Sequence, residues 1–217
     1  MKKIAGAKKE KDYESNEELW ISYYLDELLT AGFILEWKYQ PQAYQLFDGF
    51  KYPWVEKLST KTKFKNATLL QGHEYTPDFL IKWSPAANDL FFNTIDDGIN
   101  LRESNFIAHC GNNLSIIDVK PQFDMQNMTR LFTINQKWMM DKFGLYVQKI
   151  IPVKETKQYH KIGNKNKKVY SHSTWSGIFP KTFTPERYFL TDVSMKPRKI
   201  NYKAIGLNEY LKIKKET

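Results

Sequence analysis

The chain has 217 residues, of which 41% are hydrophobic and 15% aromatic, a composition that allows a folded core and argues against global disorder. No apolar run approaches the roughly 20 residues of a membrane-spanning helix, and the charged N-terminus lacks a secretory-signal pattern. The single cysteine, Cys110, excludes an internal disulfide and suits a reducing compartment. We expect a soluble cytoplasmic protein that does not associate with membranes.

The net charge of +9 is concentrated in the last third of the chain. Residues 1–153 contain 18 lysines and arginines against 19 acidic residues, whereas residues 154–217 contain 15 against five. This asymmetry indicates a polyanionic partner, most simply nucleic acid, although a solvated lysine-rich surface has the same composition. Only four of the 33 basic residues are arginine, so we expect contacts to phosphates rather than base-specific readout.

The first predicted elements are a flexible tail, a helix and a strand region. Residues 1–13 are basic and polar and are predicted to be a flexible N-terminus. A helix then begins at Ser15 as N-cap, with Glu18 three residues later as its capping-box partner. It ends near Gly32, a favourable C-cap residue. A strand-like stretch over residues 33–47 follows, broken near Pro41.

Two predicted insertions separate the next strands. Residues 50–72 look like an insertion that is rich in lysine. Residues 75–83 are the next predicted strand, and residues 84–113 form a second, irregular insertion with many turn residues. A clear strand over residues 114–120 then ends at a proline.

The remaining core elements are a helix and a strand. Apolar residues at helical spacing predict a helix over residues 125–143, and residues 145–153 read as another strand. The order is helix, three strands, helix and strand (αβββαβ), which predicts a mixed sheet flanked by helices. Residues 154–217 are interpreted as a basic C-terminal extension without a firm fold prediction.

Charged residues interrupt two of the predicted strands. Asp78 follows Pro77 among large apolar neighbours, where a carboxylate is costly without a compensating charge. Asp118 and Lys120 lie at the end of the apolar 114–120 strand. Because side chains alternate between the faces of a strand, Asp118 and Lys120 point the same way, and Val119 points into the core.

Pro77-Asp78 on one strand, followed by Asp118-Val119-Lys120 on the next, resembles the signature of the PD-(D/E)xK nuclease superfamily. The core of that family has the same order of helix, three strands, helix and strand. A glutamate on the first helix is common in the branch that contains Holliday-junction resolvases, and Glu18 matches it. Residues 14–153 are similar to small phage endonucleases of this branch and to the endonuclease subunit of heteromeric transposases.

The resemblance implies a restriction-endonuclease-like core and a metal-dependent endodeoxyribonuclease. Asp78 and Asp118 would hold Mg²⁺, with Mn²⁺ as a substitute, and the backbone carbonyl of Val119 would add a ligand. Glu18 would complete the metal shell, although it serves equally well as a capping residue only. Lys120 would orient or help deprotonate the attacking water, or would simply pair with Asp118.

The sequence is compatible with three functional interpretations. The first is a phage-encoded, resolvase-like nuclease that acts in the bacterial cytoplasm as a homodimer. The second is a transposase-type subunit directed by a partner protein, and the third is a DNA-binding module without catalysis. Candidate contacts to the DNA backbone are Lys165, Lys167 and Lys168 in the extension and Lys137 on the second helix, where a solvated helix face is the simpler explanation.

Overall fold

A computed structural model describes residues 13–95, 101, 104–109, 111–121, 130–162, 165–173, 188–191, 198–199 and 212, with side chains described only as far as residue 152 and at 191 and 212. The predicted mixed α/β class is confirmed. Two α-helices are described, α1 (Asn16–Thr30) and α2 (Arg130–Phe143). The described strands are β1 (Ile34–Tyr39), β2 (Tyr44–Phe47), β3 (Phe50–Lys57), β4 (Thr62–Leu70), β5 (His73–Tyr75), β6 (Phe79–Trp83), β7 (Phe92–Thr94), β8 (Phe106–Ala108), β9 (Leu114–Val119), β10 (Val147–Ile162), β11 (Lys165–Ser173), β12 (Tyr188–Thr191) and β13 (Arg198–Lys199).

The helix α1 begins as the sequence predicts. Ser15 is extended at the N-cap and its hydroxyl accepts a hydrogen bond from the Glu18 N–H at 3.2 Å. At the other end, Gly32 has φ +84°, a conformation that a residue without Cβ adopts easily. Both helix ends are therefore set by residues that are close in sequence.

One mixed sheet forms the centre of the molecule. Its strands follow the order β1, β6, β9 and β10, continue into β12 and β13, and pair with β11 along β10. β6 is antiparallel to both β1 and β9, whereas β10 is parallel to β9. Parallel neighbours need a crossover connection, and α2 lies in this connection. Three two-stranded sheets, β2 with β5, β3 with β4 and β7 with β8, complete the described strands.

Hydrophobic cores cover both faces of the central sheet. Alternate residues of one strand point to opposite faces, so Ile117 and Val119 pack with α1, and Ile116 packs with α2. Val147 on β10 joins Ile116 beside Phe132 and Met139 of α2. Asp118 lies between Ile117 and Val119 and therefore faces the same side as α2.

The predicted strand over residues 75–83 is wrong in one respect, because it is two strands. β5 ends at Tyr75 and pairs with β2, while β6 begins at Phe79 and pairs with β1 and β9. Pro77 lies in the gap, where its missing N–H interrupts no ladder. Asp78 thus precedes the strand that was expected to contain it.

Residues 84–113 were predicted as an irregular insertion, but the described part of this stretch is not a surface loop. It contains a 3₁₀ turn and the parallel pair of β7 and β8. Phe91, Phe92 and Phe106 are almost completely buried, and their rings surround that of Trp83. The described part of this stretch does contain turns, yet the aromatic residues between them complete the core against α1.

Three further observations concern the predicted boundaries. Residues 1–12 lie outside the described chain, whereas Tyr13 is buried beside Tyr39. β10 passes through the position predicted to separate the core from the C-terminal extension and ends at Ile162. Neither of the two helices described is long and apolar enough to span a lipid bilayer.

Candidate active site

Three of the residues singled out in the sequence line one cleft of about 410 Å³. Asp78 enters it just before β6, Asp118 comes from the end of β9, and Lys120 follows β9 directly. Residues of β5 and α2 form the other walls of the cleft. Although 40 residues separate Asp78 from Asp118 in sequence, the pairing of β6 with β9 brings them together.

Asp118 is the most buried member of this group, with only 2% of its surface exposed. One carboxylate oxygen, Oδ1, forms an ion pair with Lys120 Nζ, and the other, Oδ2, accepts a hydrogen bond from the Tyr75 hydroxyl. Burial, and then the charge of Asp118, raise the pKa of Tyr75 far above its ordinary value. Tyr75 therefore remains a hydrogen-bond donor to Asp118 at every physiological pH.

Asp78 is half-buried and faces an unfavourable electrostatic environment. Its Oδ2 accepts a hydrogen bond from the Val119 N–H at 2.6 Å. Burial first, and then the nearby charge of Asp118, raise the pKa of Asp78 to about 8, while Lys120 acts in the opposite direction. The repulsion between the two carboxylates favours either protonation of Asp78 or a bound cation. The sequence predicted a contribution from the Val119 carbonyl, whereas the contact described here is made by its N–H.

Glu18 is buried beside the site but does not line the cleft. Its carboxylate accepts hydrogen bonds from the Ser15 hydroxyl at 2.8 Å, the Glu14 N–H at 3.1 Å and the Tyr39 hydroxyl at 2.7 Å. The capping interaction is therefore present. The negative charge of Glu18 also contributes to the raised pKa of Asp78, so its carboxylate belongs to the electrostatic surroundings of the cleft.

Lys149 is a residue that the sequence reasoning missed. It is 1% exposed and lies opposite Asp118 in the parallel register of β9 and β10, so both side chains face α2. Its Nζ is 5.7 Å from the ring centroid of Phe132, and Lys120 Nζ is 6.0 Å from the same ring. A pair of polar residues, Gln148-Lys149, inside the otherwise apolar stretch of residues 145–153 was the available signal for this position.

Tyr75 and the His73–Asn135 pair were also not assigned to the site from sequence. The sequence predicts Tyr75 as a strand residue, and it predicts His73 as a surface residue at the start of that strand, with a position near the site as the alternative. In the structure His73 is half-buried in the cleft wall, with Nε2 2.7 Å from Asn135 Oδ1. Alternation along a strand does not reveal a contact with a helix that lies 62 residues further along the chain.

One of the predicted DNA-contacting lysines does not line this cleft, and the side chains of the other three lie outside the described part of the chain. Lys137 is exposed on α2 and is not among the residues that line the cleft. Its neighbour Gln136 donates a hydrogen bond to the Val147 carbonyl at 2.7 Å and so attaches α2 to β10. Lys165 lies in β11, as do the predicted residues Lys167 and Lys168, for which only the backbone is described.

The donor chemistry of the cleft fits a hard divalent cation. Asp78 and Asp118 supply carboxylate oxygens, the ligands that Mg²⁺ prefers. A cation bound between them would also reduce the repulsion between the two carboxylates that contributes to the raised pKa of Asp78. A third ligand is not assembled: in the described residues no three His, Cys, Asp or Glu side chains form a group that could hold a metal. The pair is thus suited to an ion whose remaining ligands are water or substrate.

Comparisons with known proteins gave no match, whether against protein-family models, curated proteins or solved structures.

Proposed function

We propose that this chain is a metal-dependent endonuclease that hydrolyses DNA phosphodiester bonds and has a PD-(D/E)xK-like core. The observation that carries the proposal is the convergence of Asp78, Asp118 and Lys120 in one cleft. The succession α1, β1, β6, β9, α2 and β10 supports it, because these elements follow the helix, three strands, helix and strand order of that family.

The side chains of the cleft suit this chemistry in different ways. Asp78 and Asp118 would hold the divalent ion, which supplies an activated water and stabilises charge that develops on the phosphate. Lys120 is 26% exposed in its side chain, so its ammonium group reaches both the buried Asp118 and the cleft. A cation in this position offsets negative charge on a transition-state phosphate.

Hydrolysis would require Asp118 to exchange a partner. In the structure its carboxylate is engaged by both Lys120 and Tyr75. With Asp78 and Asp118 holding the divalent ion, the Lys120 ammonium, which already lines the cleft, would face the substrate. Tyr75 would keep the carboxylate oriented through its hydroxyl.

A nicking assay tests this proposal directly. The full chain is incubated with supercoiled, linear and four-way-junction DNA in Mg²⁺, and separately with EDTA. We expect Mg²⁺-dependent cleavage that is lost in Asp118→Asn and Lys120→Ala. The exposed residues Asp48 and Lys82 provide matched controls, so Asp48→Asn and Lys82→Ala should cleave like the wild type. Absence of cleavage of DNA or RNA with Mg²⁺ or Mn²⁺ would refute the proposal.

Comparison of the three DNA substrates also distinguishes a resolvase-like enzyme from a transposase-type subunit. Preferential cleavage of the junction supports a resolvase-like enzyme, and activity that requires an added partner protein supports a transposase-type subunit. Thermal unfolding with and without Mg²⁺ supplies an independent measurement, because bound Mg²⁺ should raise the melting temperature of the wild type but not of Asp118→Asn.

One observation favours a second candidate, a DNA-binding module without catalysis. Both oxygens of Asp118 already have protein partners, and the residues described contain no three-ligand metal group. This candidate predicts DNA binding in EDTA, no cleavage with any divalent ion, and no change in melting temperature on addition of Mg²⁺.

A further inference from the structure

The hairpin of β3 and β4 is exposed along its whole length. We call residues 50–70 the arm. Every side chain in its two strands is exposed or half-buried, including apolar ones such as Trp54 (50% exposed), Phe64 (81%) and Leu69 (62%). An isolated two-stranded hairpin is marginally stable in water, and exposed apolar patches mark interaction sites. The arm therefore has the character of a binding element.

The charge of the arm indicates the class of its partner. It contains five lysines, at positions 51, 57, 61, 63 and 65, and one acidic residue, Glu56, which gives a net charge of +4. Lys65 pairs with Glu56 at 2.7 Å, and it is the only arm lysine with an ion pair among the described residues. Four lysines thus remain for a polyanion, and their charge opposes the close approach of a second arm from another copy of the chain.

Both faces of the arm combine apolar and basic side chains. Because side chains alternate along a strand, Tyr52 and Trp54 share one face with Lys63 and Lys65, which lie on the paired strand. The opposite face carries Val55 and Phe64, which are paired across the strands, together with Lys51 and Lys57. A protein that binds single-stranded nucleic acid by base stacking needs only one such face. A β-ribbon inserted into a groove of a duplex is contacted on both faces.

The dimensions of the arm agree with a groove of duplex DNA. An eight-residue strand is about 26 Å long, and the major groove of B-DNA, about 12 Å wide, admits a two-stranded β-ribbon. Exposed aromatic and aliphatic side chains can contact thymine methyl groups there, while the lysines reach phosphates. The deep, narrow major groove of double-stranded RNA does not admit such a ribbon.

The base of the arm is closely packed and adjoins the candidate active site. Gly49 has φ +85°, and a Cβ there would lie 2.9 Å from both Gly72 N and Leu70 O, so the two strands approach too closely for a side chain. Directly after Gly72, β5 contributes His73 and Tyr75 to the wall of the cleft. A duplex held by the arm would consequently lie beside Asp78 and Asp118.

We propose that the arm inserts into the major groove of double-stranded DNA and positions the duplex at the cleft. This inference deepens the proposed function by naming the substrate-holding element, and it also stands if the chain binds DNA without cleaving it.

The experiment measures binding in EDTA, where cleavage cannot occur. Fluorescence anisotropy of a labelled 30-base-pair duplex is recorded with the full chain between 50 and 200 mM KCl. The double variant Lys61→Ala/Lys63→Ala is compared with Lys82→Ala/Lys142→Ala, which removes two exposed lysines outside the arm. Phe64→Ser is compared with Leu35→Ser, an exposed apolar residue of β1.

We expect the arm double variant to bind about tenfold more weakly and to reduce the slope of log Kd against log[KCl] by about 2, because two phosphate contacts are lost. Phe64→Ser should weaken binding severalfold, and both control variants should match the wild type. Equal affinities for the two double variants would overturn the inference. Preferential binding of RNA or of single-stranded DNA would also overturn it. The same holds if the arm variants lose self-association in sedimentation experiments while their DNA binding is unchanged.

The nicking assay is independent of this result. Cleavage by the wild type together with binding that does not depend on the arm would overturn the inference alone. Binding that depends on the arm without any cleavage would overturn the nuclease proposal alone.

Discussion

Replacement of Asp78 by asparagine should stabilise the protein at alkaline pH. The asparagine Oδ1 can still accept the hydrogen bond from the Val119 N–H, so the substitution removes the charge and preserves the contact. Burial and the charge of Asp118 raise the pKa of Asp78 from its ordinary 3.8 to about 8 in the folded protein. The folded state therefore binds this proton more tightly than the unfolded chain does. The corresponding stability is complete below about pH 4 and is lost as the pH rises through 8.

The magnitude follows from the size of this shift. About four pKa units at 1.36 kcal/mol each would give nearly 6 kcal/mol if the shift were fully expressed. Because Asp78 is only half-buried, water screens part of the repulsion, and we expect about 2 kcal/mol between pH 5 and pH 9. The wild type should lose this stability relative to Asp78→Asn over that range.

Urea unfolding followed by tryptophan fluorescence in EDTA provides the measurement. We expect Asp78→Asn to be more stable than the wild type by about 2 kcal/mol at pH 9, with a smaller difference at pH 5. Asp48→Asn, an exposed aspartate in a turn, should follow the wild-type curve throughout. If the free energies of unfolding of Asp78→Asn and the wild type change with pH in parallel, the pKa of Asp78 is not raised in the folded protein.

Three further predictions concern the same site and the core. Tyr75→Phe removes the donor to the buried Asp118 and should lower the free energy of unfolding by about 1–3 kcal/mol, whereas Tyr52→Phe on the arm should have little effect. Lys120→Met should destabilise the protein by about 3 kcal/mol at pH 8 in chemical denaturation, because a buried carboxylate loses its partner, and a loss below about 1 kcal/mol would contradict this explanation. Phe91→Ala, in the stretch predicted as a loop, should cost about 3–5 kcal/mol and lower the melting temperature, and a cost below 1 kcal/mol would mean that the ring is not part of the core.

The elements that were predicted well are those specified by neighbouring residues. Ser15 and Glu18 form the cap of α1 because their contact spans a single helical turn. β9 was recognised from its apolar run, and the two-residue period placed Asp118 and Lys120 on one face. Gly144, with φ +64°, ends α2 at the predicted position.

The predictions failed where a residue acts through a distant partner. The break at Pro77 depends on β5 pairing with β2 rather than continuing into β6, and periodicity alone does not distinguish the two arrangements. The burial of Phe91 depends on contacts with Phe33, almost 60 residues earlier. Turn residues around the aromatic rings gave this stretch the appearance of a loop, although tertiary packing overrides such local signals.

The sequence alone determined the mixed α/β class and identified Asp78, Asp118 and Lys120 as the residues of interest, because helix caps, strand alternation and charges in apolar runs are local properties. Only the tertiary structure decided that Tyr75 holds Asp118, that Lys149 lies on the same face, and that the negative charge of Glu18 acts on Asp78. The residues of these three pairs, Tyr75–Asp118, Asp118–Lys149 and Glu18–Asp78, are between 31 and 60 positions apart. The pairing of strands and the packing of helices upon them bring such residues together, and no short segment of the chain contains that information.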